Sequence, residues 1–132
     1  MVSTTKAKVD APVYRHAVEN GKVVERDGWH DPNSRSFHQS CGCDLDTDNG
    51  AYRDVVVEYN GKTIHYYHHS PVVVKANGEI RIDACGWKTT TTKDRINQNL
   101  PSSYFVKQRD FEWFVETPNG EKQFESGMVI QP

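Results

Sequence analysis

From residue 52 onward, hydrophobic and polar positions alternate in short runs separated by glycine-containing turns. Asp54-Val55-Val56-Val57-Glu58-Tyr59, then Asn60-Gly61, then Lys62-Thr63-Ile64-His65-Tyr66-Tyr67-His68-His69 predicts a hairpin. β-branched and aromatic residues suit a pleated surface, and Asn-Gly accepts the positive φ of a type I′ turn. Ser70-Pro71 is expected to end that strand. Residues 72–76, Asn77-Gly78 and residues 79–84 repeat the signal, which predicts a four-strand antiparallel meander. Within it Ile80 and Ile82 share one face, and Arg81 and Asp83 the other. The period then changes. Ile96 and Leu100 stand one helical turn apart, Thr91 with Asp94 resembles a capping box, and Pro101 stops the run, so a short helix is expected to pack on the sheet. Residues 104–109 and 111–116 read as two further strands, Thr117-Pro118-Asn119-Gly120 as a turn, and Lys122-Gln123-Phe124 and Met128-Val129-Ile130 as strands closing the sheet. The fold class is therefore α+β: a mainly antiparallel sheet built as a meander of hairpins, one short helix packed on it, then further strands.

The first 50 residues lack sustained periodicity and are rich in Asp, Asn, Ser, Gly and His, the composition of an extended arm and loops. One small hairpin is expected there, with residues 13–18 and 22–26 flanking Glu19-Asn20-Gly21. The organisation is thus an N-terminal arm over 1–50 and a sheet-plus-helix domain over 51–132. At 132 residues the chain suffices for one core. Hydrophobic residues make up only 36%, so the aromatics, at 11%, must supply much of that core. No run approaches the ~20 apolar residues of a membrane helix, and no apolar signal region follows the first residues. Three cysteines, Cys41, Cys43 and Cys85, cannot all pair within the chain. Together these features predict a soluble protein of a reducing cytoplasm, with no membrane partner.

The net charge of −2 conceals a split. Residues 86–109 carry five Lys/Arg against one Asp, and residues 110–132 carry five Asp/Glu against one Lys, surpluses of +4 and −4. The two blocks either neutralise each other in the fold or present a basic face to an anionic partner. The basic block contains the densest chemistry in the chain, Gly86-Trp87-Lys88-Thr89-Thr90-Thr91-Thr92-Lys93-Asp94-Arg95-Ile96-Asn97. A helix N-terminus offers free amides and a dipole that favours negative charge. Thr89, Thr90, Thr91 and Thr92 would add hydroxyls, Lys88, Lys93 and Arg95 charge, and Trp87 a stacking surface. With Lys107 and Arg109 these residues form a candidate site for nucleic acid or another phosphate ligand.

That block, through Gly86, Trp87, Thr89, Thr91, Thr92, Lys93, Arg95, Ile96 and Asn97, resembles one shared by small proteins encoded by phages, prophages and archaeal viruses or plasmids. Trp113-Phe114-Val115 and Gly127-Met128 resemble the later part of the same pattern. The resemblance runs from about Tyr59 to Ile130 and departs at Ala84-Cys85, where a small or Gly residue is more usual. It implies a viral or mobile-element origin and carries no activity with it.

Other chemistry is sparser. His38, Cys41, Cys43 and Cys85 are zinc candidates, although a single Cys-x-Cys with one distant Cys departs from the paired knuckles of structural zinc sites. In a strand His65 and His69 would share a face ~13 Å apart with His68 opposite, which does not chelate. Asp44-Leu45-Asp46-Thr47-Asp48-Asn49-Gly50 imitates the start of a calcium loop, but Gly50 comes one place late and Val55 stands where a bidentate Glu is required. No nucleophile elbow, phosphate-binding glycine loop or zinc-protease motif occurs, so a non-enzymatic protein is expected. Two roles compete with phosphate or nucleic-acid binding: inhibition of a host enzyme or anti-phage defence complex, with Glu112, Glu116, Glu121 and Glu125 as a decoy for a basic channel, and a structural place in the virion. Oligomeric state stays open, with Val72-Val73-Val74 as a candidate edge for pairing across a two-fold axis.

Overall fold

The computed structural model describes residues 2–3, 11–29, 52–86 and 88–132. Ten strands and two helices occur among them. In chain order these are β1 (Val2–Ser3), α1 (Tyr14–Asn20), β2 (Lys22–Trp29), β3 (Tyr52–Tyr59), β4 (Lys62–Tyr67), β5 (Ser70–Ala76) and β6 (Glu79–Ile82). After them come α2 (Thr90–Gln98), β7 (Phe105–Arg109), β8 (Glu112–Thr117), β9 (Gly120–Gln123) and β10 (Met128–Ile130). The architecture is α+β and mostly antiparallel sheet.

The predicted meander is present as β3 to β6, in register through Val56 opposite His65, Ile64 opposite Val74 and Lys75 opposite Ile80. It sits inside a seven-stranded sheet of order β1-β10-β6-β5-β4-β3-β2, while β7, β8 and β9 form a separate three-stranded sheet. The two final segments therefore part company: β9 pairs with β8, and β10 returns to pair with β6 and β1. β5 lies between β4 and β6, so its valine run is interior and offers no edge.

Burial explains the layers. One cluster, containing Val72, Ile82, Ile96, Val106, Trp113, Val115 and Ile130, fills the space where α2 and the small sheet cover the large one. A second, containing Tyr14, Ala17, Val55, Val57, Ile64, Tyr66 and Val129, seals the opposite face beneath α1. Valine and isoleucine make up most of both clusters, with Tyr104, Trp113 and Phe124 added in the first and Tyr14 and Tyr66 in the second. Tyr14 and Tyr66 meet edge to face at 5.2 Å, and burial pushes both phenols above their ordinary range.

The N-terminal segment departs from expectation. Residues 14–20 form a helix instead of the first arm of a hairpin, and β2 pairs with β3. Tyr14 and Ala17, three residues apart, are the positions α1 buries, so a helical period was hidden in a run that also suits a strand. Gly21 is required for a different reason than a turn. Its φ is −108°, and a Cβ there would lie 2.6 Å from the Glu58 carbonyl oxygen and 2.7 Å from that of Ala17. It lets the end of α1 press against β3.

The end of β4 also differs. His68 and His69 take φ of 48° and 65° and form a two-residue loop, so Ser70 and Pro71 open β5 instead of ending β4. Histidine tolerates the left-handed region better than most residues. Here ring contacts hold it: His68 lies edge-on to Tyr67 at 4.6 Å, and His69 stacks on Tyr14 at 3.9 Å. The three histidines thus do not share one strand.

Candidate functional site

α2 starts two residues earlier than its capping-box pattern predicts. Thr89 is the N-cap, and its Oγ1 accepts the backbone N–H of Thr92 at 3.2 Å. The same oxygen is a hub, 3.1 Å from Thr91 Oγ1 and 3.0 Å from Thr92 Oγ1. Thr92 is fully buried and packs with Ile96 toward the sheet, while Thr90 and Thr91 stay exposed. The Lys93 amide bonds to the Thr89 carbonyl at 3.0 Å. The amides of Thr90 and Thr91 are therefore the first-turn donors that helix geometry leaves without an intrahelical acceptor.

A cavity of about 180 Å³ opens beside this turn, lined by Tyr67, His68, Ser70, Val72, Ala84, Thr89, Thr91 and Thr92. Its walls combine hydroxyls with a small apolar floor of Val72 and Ala84. The Tyr67 hydroxyl donates to Thr91 Oγ1 at 3.0 Å and ties β4 to the helix start. Sequence spacing does not mark Tyr67, His68 and Ser70, because the segment that loops after β4 has the alternation of a continuous strand. Their only prior signal was a cluster of polar rings before Pro71.

The cations of the block separate. Lys88 is exposed just before the cap, and Lys93 is partly exposed on the helix. Arg95 turns inward, its Nε donating to Asp54 Oδ1 at 2.9 Å and its guanidinium lying 5.4 Å from the Tyr67 ring centre. Lys107 lies 3.0 Å from Glu121 and 3.5 Å from Glu116, and Arg109 grips Glu121 through bonds of 2.8 and 3.2 Å. Hydrogen bonds from Arg109 and Lys107 hold the Glu121 carboxyl at about 2. The +4 and −4 blocks thus meet across the small sheet. Trp87, His38, Cys41, Cys43 and the acidic segment 44–50 lie outside the described residues. Cys85 is half-buried with its Sγ 3.6 Å from the Pro71 carbonyl, and burial pushes its thiol up to about 12. Among the described residues no three His, Cys, Asp or Glu side chains come together as a metal-binding group.

A second polar cluster lies under the C-terminal half of α2, and sequence spacing gave no sign of it. Asp54 is buried on the face of β3 that carries Val56, with His65 of β4 opposite Val56. Its Oδ1 accepts from His65 Nε2 at 2.8 Å and from Arg95, and its Oδ2 accepts from Arg53 Nε at 2.8 Å. Burial raises the Asp54 pKa, but the hydrogen bonds from His65 and Arg53 and the charge of Arg95 outweigh it, and the carboxyl sits at about 2. Asn99 Nδ2 donates to the Arg95 carbonyl at 2.8 Å and to His65 Nδ1 at 3.0 Å, which leaves the ring proton on Nε2. Both imidazole nitrogens are engaged within the protein, so this cluster fastens the helix to the sheet.

Comparison with known proteins decides the origin. The family model described as Kyanoviridae Gp96 protein matches residues 47–131. The chain belongs to this phage protein family. No curated protein and no solved structure matches the chain. The family match begins about a dozen residues before the stretch whose motifs resemble viral proteins, and it spans β3 through β10, the cavity and the Asp54 cluster included. α1 and β2, which complete the second core cluster and one edge of the large sheet, precede the matched segment. No described helix is long and apolar enough to cross a membrane.

Proposed function

We propose that this phage protein is a non-enzymatic binding protein of the host cytoplasm that takes a phosphate-bearing ligand, nucleic acid included, at the N-terminus of α2. The observation that carries the reading is the hydroxyl-lined cavity at the point where the amides of Thr90 and Thr91 lack intrahelical acceptors. Lys88 and Lys93 supply the accessible positive charge. Arg95, Lys107 and Arg109 contribute little, because carboxylates already engage them. The binding surface is therefore a short patch centred on one phosphate, smaller than a groove that tracks a backbone.

The test is a titration followed by amide NMR, with inorganic phosphate, a nucleoside monophosphate, single-stranded DNA and RNA. Expected are saturable shifts confined to residues 88–93 and the loop 67–70, weakened by Lys88→Ala with Lys93→Ala and by added salt. Shifts scattered over the surface, or none at low salt, refute the reading.

A second reading, inhibition of a host enzyme or defence complex, draws support from the exposed acids Glu112 and Glu125. Glu116 and Glu121 add less, since Lys107 and Arg109 neutralise them in place. An acidic decoy of that kind would be short, and its interaction would weaken steeply with salt.

A further inference from the structure

Among the described residues, four two-residue hairpin loops have positive φ at both positions: Asn60-Gly61, His68-His69, Asn77-Gly78 and Asp110-Phe111. Two of them use Asn-Gly, the pair that bears this geometry at least cost. The histidine pair is compensated by its contacts with Tyr67 and Tyr14. Phe111 has no such compensation. It takes φ of 67°, a left-handed position that a bulky side chain disfavours, and it is 94% exposed. Folding alone would be better served by glycine there.

The arm beneath the tip is rigid. Trp113 and Val115 are buried in the core, and Arg109 lies 4.5 Å from the Phe114 ring centre while gripping Glu121. On the near edge, the Asn97 side chain bonds both the N–H and the C=O of Val106, at 2.7 and 2.9 Å, and substitutes for a neighbouring strand. A bare aromatic ring on a strained loop at the end of a fixed arm has the form of a preorganised anchor. Its flanks indicate the socket. Asp110 and Glu112 are exposed on either side of the ring, and the neighbouring cation, Arg109, is committed to Glu121. Such acidic flanks disfavour anionic lipid and nucleic-acid backbones and suit a cationic rim.

We propose that Phe111 anchors this protein in an apolar socket rimmed by Lys or Arg on a partner protein. The docking is independent of the cavity at α2. The experiment places a photoreactive benzoylphenylalanine at position 111 of the full chain and, as a control, at the exposed tip position 77, then irradiates each in lysate of phage-infected cells. Expected is one protein adduct specific to position 111, with the linked partner peptide carrying Lys or Arg beside apolar residues. Excess wild-type chain or Phe111→Trp suppresses it about tenfold or more, Phe111→Ser does not, and added salt weakens it. Melting of the Phe111→Ser and Phe111→Trp chains close to the wild-type temperature shows that both competitors are folded. Equal yields at 77 and 111, suppression by Phe111→Ser, a link to a second copy of this chain, to lipid or to nucleic acid, or no adduct would each overturn the proposal.

Discussion

The two halves of α2 rest on the same sheet by different chemistry. At its start, neutral hydroxyls satisfy one another around Thr89 and leave a cavity at the surface. Under its end, a buried carboxylate gathers Arg53, His65 and Arg95, with Asn99 completing the ring contacts. Neutral bonds are worth little each and can be exchanged for a ligand's, whereas a buried charge cluster is costly to disturb. The start of the helix is therefore suited to binding and the end to holding.

The contrast breaks first at Asp54. Asp54→Ala strands two guanidinium groups and His65 without their acceptor, and chemical denaturation should show a loss of roughly 3–5 kcal/mol. A loss below about 1 kcal/mol would show that the cluster does not fasten the helix. Acid probes the same group without mutation. Because the folded Asp54 carboxyl sits at about 2, below its ordinary 3.8, its contribution is complete above about pH 5 and disappears as pH falls through 4 toward 2. Stability should drop by on the order of 2 kcal/mol over that interval, and by clearly less in Asp54→Asn.

Asn97 tests whether the small sheet depends on the helix. Asn97→Ala leaves both backbone groups of Val106 without their partner, and a destabilisation of about 1–3 kcal/mol is expected, with faster amide exchange along β7. The smallest effect belongs to the cap. Thr89→Ala should cost about 1 kcal/mol, while Thr90→Ala, at an exposed first-turn position, should change thermal stability by a few tenths. Equal effects would mean that Thr89 is not the hub that its bonds describe.

Much of the fold was legible in the chain. Asn60-Gly61 and Asn77-Gly78 marked two hairpins because few other pairs accept two positive φ values, and alternation marked β3 to β8 within a residue or two at most ends. Other features were not legible, for identifiable reasons. The α1 segment reads as a strand because Val, Tyr and Ala at short range satisfy both periods, and the helix is selected by burial of Tyr14 and Ala17 against β3 and β4. The loop at His68-His69 lacks glycine and depends on rings from α1 and β4, one of them more than fifty residues away. For the candidate site, the threonines and the helix start were readable, but the partners Tyr67, His68 and Ser70 arrive through the sheet.

The sequence by itself determined the α+β class, the hairpin meander and the threonine-capped helix, since turn chemistry, strand alternation and capping are properties of neighbouring residues. The family match over residues 47–131 adds a phage origin. Only the tertiary structure decided that β10 rejoins the large sheet, that Arg95 serves Asp54 and that Lys107 and Arg109 of the basic block pair with Glu116 and Glu121 of the acidic one across β7, β8 and β9. Those outcomes depend on which surfaces meet, and side chains distant in the chain find partners only when burial brings the layers together.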